Sequence, residues 1–509
     1  MVFYAKMCNF AADLRKRMKE EAGGSYNHVL KYTSVFGGVQ GLIILISLVR
    51  NKAMALLLGA SGMGFNALLL SVQSFASQCT NLGISFGAVP KLSELYEQGQ
   101  HEKMEYYVQV VRLWSCIAAM LGFLFCVTIS PLLNTMTFTW GNHTLHYALL
   151  AVSVSMSAVC AGELVVLKST RRLGVLARLQ VYTALSSVLL SIPLFFLWGV
   201  SGIVPSIILM AACSLLTTIY YSFRCFPYRL RFSRQQLSDG FSIVRLGLSF
   251  VMAAAIGSAS EMFIRSFLNV EGNLDAVGLY NTGYMLTITY AGMVFSSMET
   301  DFFPRLSAVS KDIPTTNLTV NRQMEVSLLL LSPMLVGMLM VLPVLVPMLF
   351  TQDFMPVVQM GQIAVIAMYF KVMTMPVAYI TLARSRSLSY LLLESAYFMV
   401  LVASIVVGFN CWGIWGTGVA IVVAHVAEWL IVWGYAYWQY QYRCTWAIAR
   451  YVAVQLTVGL LAFAVSLASD GLNYWIAEAA LVLASTAYSL YILRQKTHLW
   501  QKLCQRFRI

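Results

Sequence analysis

The chain consists of fourteen apolar runs separated by short polar connectors. A helix that crosses a lipid bilayer needs about 20 predominantly apolar residues, and each run has about that length. The runs are numbered here as spans 1 to 14 and cover residues 33–58, 64–88, 107–131, 146–168, 176–198, 202–222, 242–266, 277–300, 325–350, 358–383, 388–408, 413–440, 448–468 and 472–493. This pattern predicts an all-α polytopic membrane protein with about 14 transmembrane helices.

Lys and Arg residues lie almost entirely on one side of these spans. The two termini and the even-numbered connectors hold 28 of the 34 Lys and Arg residues when Lys168, Arg178 and Arg450 at the cytoplasmic span edges are included, and the odd-numbered connectors hold none. Short loops rich in Lys and Arg stay in the cytoplasm. The alternation therefore predicts that both termini are cytoplasmic. The odd-numbered connectors, of which the longest lies around 131–145, are predicted to face outward.

The composition also indicates a membrane protein and limits the classes of partner that it can bind. Charged residues make up only 11% of the chain and mean hydropathy is +0.73, whereas soluble domains carry about 25% charged residues. The net charge of +13 is explained by topology and by contact with anionic headgroups, so membrane lipids are expected partners and nucleic acid is not. The chain has no phosphate-binding GxxxxGK[ST] loop and no metal-ligand spacing among its histidines. No cofactor or metal is therefore expected.

A tandem repeat becomes visible when the chain is shifted by 214 residues. The matching positions are 89–93 with 303–307, Gly64 with Gly278, Arg172 with Arg386, Gln180 with Glu394, and 198–202 with 412–416. The repeated unit holds six spans, so both copies enter the membrane in the same orientation. Such copies are related by an axis along the membrane normal, an arrangement common in transporters.

The repeat predicts the domain organisation. Two six-helix lobes are followed by two additional helices, and a substrate route with alternating access is expected between the lobes. The predicted units are a basic cytoplasmic arm at 1–32, an N-lobe at 33–222 (spans 1–6), an interlobe connector at 223–241, a C-lobe at 242–440 (spans 7–12), spans 13 and 14 at 448–493, and a basic tail at 494–509.

Three short motifs carry a resemblance to a known family. They are residues 58–65 (LGASGMGF), the segment from 83–85 (GIS) to 90–93 (PKLS), and residues 382–387 (LARSRS) with Tyr390 and Glu394. With two six-span lobes and two further helices, the chain resembles the multidrug/oligosaccharidyl-lipid/polysaccharide exporter superfamily. Within it, the chain is most similar to the polysaccharide-transport branch, the Wzx-type O-antigen flippases.

That resemblance implies a transport function and no enzymatic activity. The implied substrate is an oligosaccharide on an undecaprenyl diphosphate carrier, moved from the inner to the outer leaflet of the bacterial cytoplasmic (inner) membrane. Other glycan-assembly membrane proteins are possible partners. Two alternatives remain at this stage: a multidrug or cation extruder of the same superfamily, and a membrane-embedded glycan polymerase or transferase.

Charged residues inside the spans are the candidates for function, because a charge at mid-bilayer costs roughly 2.5–3.5 kcal/mol on insertion scales. A cationic cavity suits a diphosphate. The candidate headgroup-binding cations are Arg50, Arg265, Lys371, Arg112 and Arg245. The candidate ion-coupling carboxylates are Glu163, Glu261 and Glu428.

Some of these charges also have structural interpretations. Arg112 and Arg245 lie near the predicted cytoplasmic ends of their spans, where a long side chain reaches the headgroups. Arg265 lies four residues after Glu261, so the two share a helix face and can neutralise each other. Glu428 lies three residues after His425, which allows a packed or hydrogen-bonded pair on span 12. Lys371 lies near the middle of span 10 and has no acidic residue three or four positions away.

Overall fold

The computed structural model shows the chain as a bundle of long helices. It describes residues 2–138, 141–170, 172–227, 233–384, 386–468 and 471–496, with side chains except for 2–37, 86, 173, 246, 249, 293–301, 304 and 496. These ranges contain fourteen α-helices and no β-strand. The helices are α1 (Val2–Thr80), α2 (Ile84–Glu97), α3 (His101–Thr137), α4 (Thr144–Ser169), α5 (Leu173–Trp198), α6 (Ile203–Phe223), α7 (Arg234–Glu271), α8 (Leu274–Tyr284), α9 (Tyr290–Val309), α10 (Ile313–Leu349), α11 (Pro356–Ala383), α12 (Ser387–Tyr440), α13 (Trp446–Ala468) and α14 (Gly471–Lys496).

The predicted spans coincide with these helical segments, except that span 2 continues past the end of α1 into α2 and span 8 covers two helices. Ten stretches of the described residues are long and apolar enough to cross a membrane. Three of them hold two predicted spans each, because at about 1.5 Å per residue they far exceed a bilayer core about 30 Å thick. These are Gly38–Thr80 (43 residues), Gly174–Phe223 (50 residues) and Ser387–Tyr440 (54 residues). Span 8 corresponds to α8 and α9 with a π-helical turn between them. The all-α polytopic fold is confirmed.

Several helices extend beyond the predicted apolar runs. Helix α1 begins at Val2, so the backbone of the predicted arm at 1–32 is helical from its second residue and continuous with span 1. Helices α3 and α10 each run for 37 residues and begin before spans 3 and 9. The chain breaks at Gly83, which has a φ of 69°. Helix α2 then continues through Pro90 without a break. The continuous helix of span 2 therefore ends before Gly83, within the predicted range of 64–88.

The backbone repeats its conformation at the offset predicted from the sequence. Trp198 has a φ of −119° and Gly199 a φ of 58° with a ψ of −134°. Trp412 has a φ of −138° and Gly413 a φ of 60° with a ψ of −142°. Positive φ at both glycines explains why glycine recurs there. The same break therefore separates spans 5 and 6 in one repeat and spans 11 and 12 in the other.

The helices of each repeat pack against one another. Helix α3 packs against α2 and α4, and α11 packs against α8, α10 and α12, whereas α1 packs at least as extensively against α7 and α8 of the second repeat as against α4 and α5 of the first. Helices α13 and α14 pack against each other and against α10. The hydroxyl of Tyr474 on α14 donates to the carbonyl oxygens of Leu339 and Met340, at 3.1 and 2.9 Å. Spans 13 and 14 are thus attached to the outside of the second repeat.

The two repeats touch through glycines near both ends of the bundle. A Cβ on Gly64 would lie 1.9 Å from the carbonyl oxygen of Leu274, and one on Gly278 would lie 2.1 Å from that of Ala60. Because Gly64 and Gly278 are equivalent in the repeat, span 2 meets span 8 near the repeat axis, at the predicted outer end. A second contact joins the end of span 2 to span 7, where a Cβ on Gly247 would lie 2.3 Å from the oxygen of Gly83.

Candidate functional site

Three ion pairs inside the bundle join the candidate coupling carboxylates to candidate headgroup-binding cations. Each candidate coupling carboxylate forms an ion pair with one of the five candidate cations. The pairs are Arg112 with Glu163 at 2.9 Å, Arg265 with Glu261 at 2.9 Å, and Lys371 with Glu428 at 3.1 Å. Pairing lowers the cost of holding charge away from water. A paired cation can bind a substrate anion by exchanging partners or through donors that the carboxylate leaves free.

Arg112 lies inside the first repeat, and the structural interpretation that it reaches the headgroups is wrong. Its Nε and Nη2 donate to the two carboxylate oxygens of Glu163, and both side chains are 2% exposed. Its guanidinium also donates to the carbonyls of Phe226 and Pro227, at 3.0 Å each. Ser222 donates to Glu163 at 2.5 Å. Helices α3, α4 and α6 are thereby tied to the start of the interlobe connector.

Arg265 has the local partner that its spacing predicts. Its Nη1 donates to the Glu261 carboxylate one turn earlier on α7, and its Nη2 donates to Asn281 on α8 at 3.2 Å. Arg245, on the same helix, is exposed, in line with a side chain that reaches the headgroups. The Arg265–Glu261 pair therefore stabilises the contact between α7 and α8 within the second repeat.

Lys371 lines a cavity of about 220 Å³ between spans 8, 10, 11 and 12. Its Nζ contacts both carboxylate oxygens of Glu428, at 3.1 and 3.5 Å, and lies 5.4 Å from the ring centroid of Tyr397. Glu394 and Tyr390, from the third motif of the sequence, line the same cavity. The cavity thus brings together a cation from span 10 and two carboxylates from spans 11 and 12.

One wall of this cavity is irregular. The segment Met285–Thr289 is π-helical, and Ile288 from that segment lines the cavity. Single π-helical turns inside α-helices frequently occur at functional sites. Asn51 of span 1 donates to the sulfur of Met285 at 3.0 Å, so the first repeat contacts the wall of the cavity.

The charged cavity is specific to the second repeat. At the repeat offset, Lys371 and Glu428 correspond to Ser157 and Ser214. The hydroxyl of Ser157 donates to the carbonyl of Ser153 in its own helix. The first repeat therefore has two hydroxyl groups at the positions of the ion pair. The two repeats share their backbone conformation but differ in the charge of these side chains.

Arg50 differs from the paired cations. Its Nε donates to Ser191 on α5 at 3.3 Å, and its buried Nη2 has no hydrogen-bond partner among the described residues. The next residues reach the second repeat, since Lys52 donates to the carbonyl of Met348 at 2.9 Å. No described contact joins Arg50 to Arg265 or Lys371, so their grouping around one headgroup stays a prediction.

One histidine and one further acidic residue also lie buried inside the bundle. His425 has no described hydrogen bond to a carboxylate. Its Nδ1 contacts the carbonyl oxygen of Ile421 at 2.9 Å. The predicted His425 partner, Glu428, bonds Lys371 instead. Glu478 on α14 is fully buried, and the sequence analysis missed it. The available signal was a lone acidic residue inside the apolar run of span 14.

The fold is that of membrane flippases and exporters. A lipid II flippase, MurJ, in an inward closed conformation superposes with a TM-score of 0.67 at 10% identity, over 91% of this chain and 99% of that one. An inward-facing multidrug resistance MATE family transporter of the MOP superfamily gives 0.58 at 13% identity, over 82% and 99%. A MOP superfamily transporter from Pyrococcus furiosus also gives 0.58, at 12% identity, over 81% and 96%.

The family follows from the sequence. The sequence model of the polysaccharide biosynthesis protein family matches residues 53–359, more than half of the chain. The chain belongs to this family. No curated protein sequence matches it. The chain is thus a multi-pass membrane protein of the polysaccharide biosynthesis family, and it shares its fold with flippases and exporters.

Proposed function

We propose that this protein is a secondary transporter that flips an oligosaccharide linked to undecaprenyl diphosphate across the bacterial cytoplasmic membrane. The observation that carries the proposal is the cavity in which Lys371 is held by Glu428 beside Glu394. The family match supports a polysaccharide pathway, and the fold supports movement of a lipid-linked substrate. The glycan occupies the space between the lobes while the lipid tail stays in the bilayer.

The headgroup binds by partner exchange. A diphosphate oxygen takes the place of the Glu428 carboxylate on Lys371, since both are anionic oxygen acceptors for an ammonium group. Once separated from Lys371, Glu428 has no cation and lies beside a second carboxylate, Glu394, in a partly enclosed cavity, where a coupling ion can replace the lysine. Substrate binding and ion binding are thereby linked through one lysine, and the transport cycle runs on an ion or substrate gradient.

Arg50 supplies a second cation to the same headgroup. Its free Nη2 is a buried donor without an acceptor among the described residues, and such donors are costly unless a ligand satisfies them. A guanidinium can bind phosphate oxygens in a fork that lysine cannot match. Because residues 51 and 52 contact the second repeat, lobe movement changes the surroundings of Arg50.

A drug or cation extruder is less well supported. Such transporters commonly use a carboxylate in the N-terminal lobe to bind cations. Here Glu163 is the interior carboxylate of that lobe, and it is enclosed with Arg112 and bonded to Ser222. A cationic drug would have to displace a buried guanidinium that also holds two backbone carbonyls.

A glycan polymerase or transferase is also less well supported, because the predicted outer connectors are short. The longest one is bounded by Thr137 at the end of α3 and Thr144 at the start of α4. A few residues cannot form a domain that binds an acceptor glycan. The family and the fold are those of transporters and not of enzymes.

We also propose that both termini and the connector at 223–241 face the cytoplasm, as the Lys and Arg distribution predicts. Single cysteines introduced at 223–241 in a cysteine-free background should react with a membrane-impermeant maleimide only after the cells are permeabilised. Cysteines at exposed positions of 131–145, such as Asn142, should react in intact cells. Labelling of the 223–241 connector in intact cells would contradict the proposed orientation.

Replacing Lys371 tests the proposed function. In a strain that lacks its flippase, Lys371→Gln should restore surface glycan at least about tenfold less well than the wild type, because loss of one charged contact costs more than about 1.4 kcal/mol. Lys371→Arg, which keeps the charge, should retain part of the activity. Lys311→Gln is the matched control, because Lys311 is exposed outside the bundle. Normal surface glycan with Lys371→Gln, at equal membrane expression, overturns the cavity assignment.

A further inference from the structure

Glu478 lies in span 14, one of the two peripheral spans. Its carboxyl group is buried and has no partner among the described residues. Its side chain is 0% exposed, and both carboxylate oxygens lack a hydrogen-bond partner among the described residues. It therefore differs from Glu163, Glu261 and Glu428, each of which has a cation. The proposed substrate mechanism makes no use of Glu478.

The helices around Glu478 place no charge next to it. On α10 the charged residues are Arg322 and Glu325, more than ten residues before Leu339, which Tyr474 of α14 contacts. On α13 the only charged residue is Arg450, near the other end of α14, where Tyr451 meets Tyr488. On α11, Gln362 is uncharged, and Lys371 lies more than two turns further along. The titratable neighbour of Glu478 is Tyr474, one turn earlier on α14.

Tyr474 marks the place where span 14 docks on span 9. Pro343 on α10 has no N–H and therefore leaves the carbonyl of Leu339, four residues earlier, without its helical donor. The Tyr474 hydroxyl donates to that carbonyl and to its neighbour on Met340. Span 14 thus satisfies a backbone acceptor freed by a proline, and Glu478 is enclosed one turn away from this contact.

We propose that Glu478 is a proton-binding site that holds its proton while span 14 is docked on span 9. Enclosing an ionised carboxylate without a cation or a donor costs several kcal/mol, whereas a neutral carboxyl costs much less. The proton comes from water and adds to one carboxylate oxygen. Because the enclosed form favours the proton, proton binding and docking of span 14 stabilise each other. The protein therefore has a proton site outside the charged cavity.

Infrared spectroscopy of the purified protein in lipid tests this assignment. The wild type at neutral pH should show the carbonyl stretch of a protonated carboxylic acid, and Glu478→Gln should lack it. Glutamine keeps the shape of the neutral acid, so the variant should fold. Asp353→Asn is the matched control, because Asp353 is exposed and its replacement should leave the band unchanged. Identical protonated-acid bands in the wild type and Glu478→Gln overturn the proposal.

Discussion

Replacing Gly64 by alanine should lower transport at least about tenfold while leaving the protein folded. A Cβ at this position would lie 1.9 Å from the backbone oxygen of Leu274, and backbone cannot yield as a flexible side chain can. The contact joins the two repeats and not the helices within one repeat. The variant should therefore fold as two intact lobes that cannot close at the predicted outer end.

Gly41→Ala is the matched control, since Gly41 lies in span 1 and a Cβ there would have no neighbour within 4 Å. A reporter cysteine, Ala60→Cys, lies where span 2 meets Gly278. Its labelling by an impermeant reagent should increase in the Gly64→Ala background and stay low in the Gly41→Ala background. Wild-type transport and unchanged labelling in Gly64→Ala would show that closure at Gly64 is not part of the cycle.

The buried pair of Arg112 and Glu163 is expected to have the largest effect on stability. Glu163→Leu removes the carboxylate and leaves a guanidinium that is 2% exposed without its anion. Breaking a buried pair in this way costs about 3–5 kcal/mol. The variant should show a lower thermal midpoint in detergent and a lower yield of monodisperse protein.

Replacing both residues of this pair distinguishes the effect of the unpaired charge on stability from the effect of lost packing. The double variant Arg112→Met with Glu163→Leu should recover most of the stability, because hydrophobic groups of similar volume can replace a buried pair. Glu94→Gln is the surface control: Glu94 and Lys91 are 58% and 46% exposed, so the change should be within about 1 kcal/mol. A single variant Glu163→Leu as stable as the wild type would contradict a structural role of this pair.

Most of the fold could be predicted from the sequence because its signals are local or periodic. The apolar runs and the basic connectors define spans, and the offset of 214 residues anticipates the matching backbone at Gly199 and Gly413. Helix ends were less predictable. Helices α3 and α10 begin with polar turns that precede the apolar runs. The apolar run shows only which part of a helix lies in the lipid, and the helix itself can continue into water.

The pairing of the charges could not be predicted from the sequence. Lys371 has no acidic residue within one turn, and its partner Glu428 lies 57 residues later on another helix. Arg112 and Glu163 are 51 residues apart. Only the Arg265–Glu261 pair, four residues apart on one helix, was visible in advance. Glu478 was not predicted as a site, because span 14 lies outside the repeat and a single acidic residue in an apolar run does not reveal its surroundings.

The most direct test of the proposed function is transport by the purified protein in sealed vesicles without ATP. An oligosaccharide on a polyprenyl diphosphate is placed in one leaflet, and its appearance in the other is followed with an impermeant glycan-specific probe. The wild type should move the unchanged substrate, Lys371→Gln should move it at least about tenfold more slowly, and neither should accumulate a cationic drug. Drug accumulation without glycan movement, a covalently altered glycan, or a requirement for ATP would contradict the proposed function.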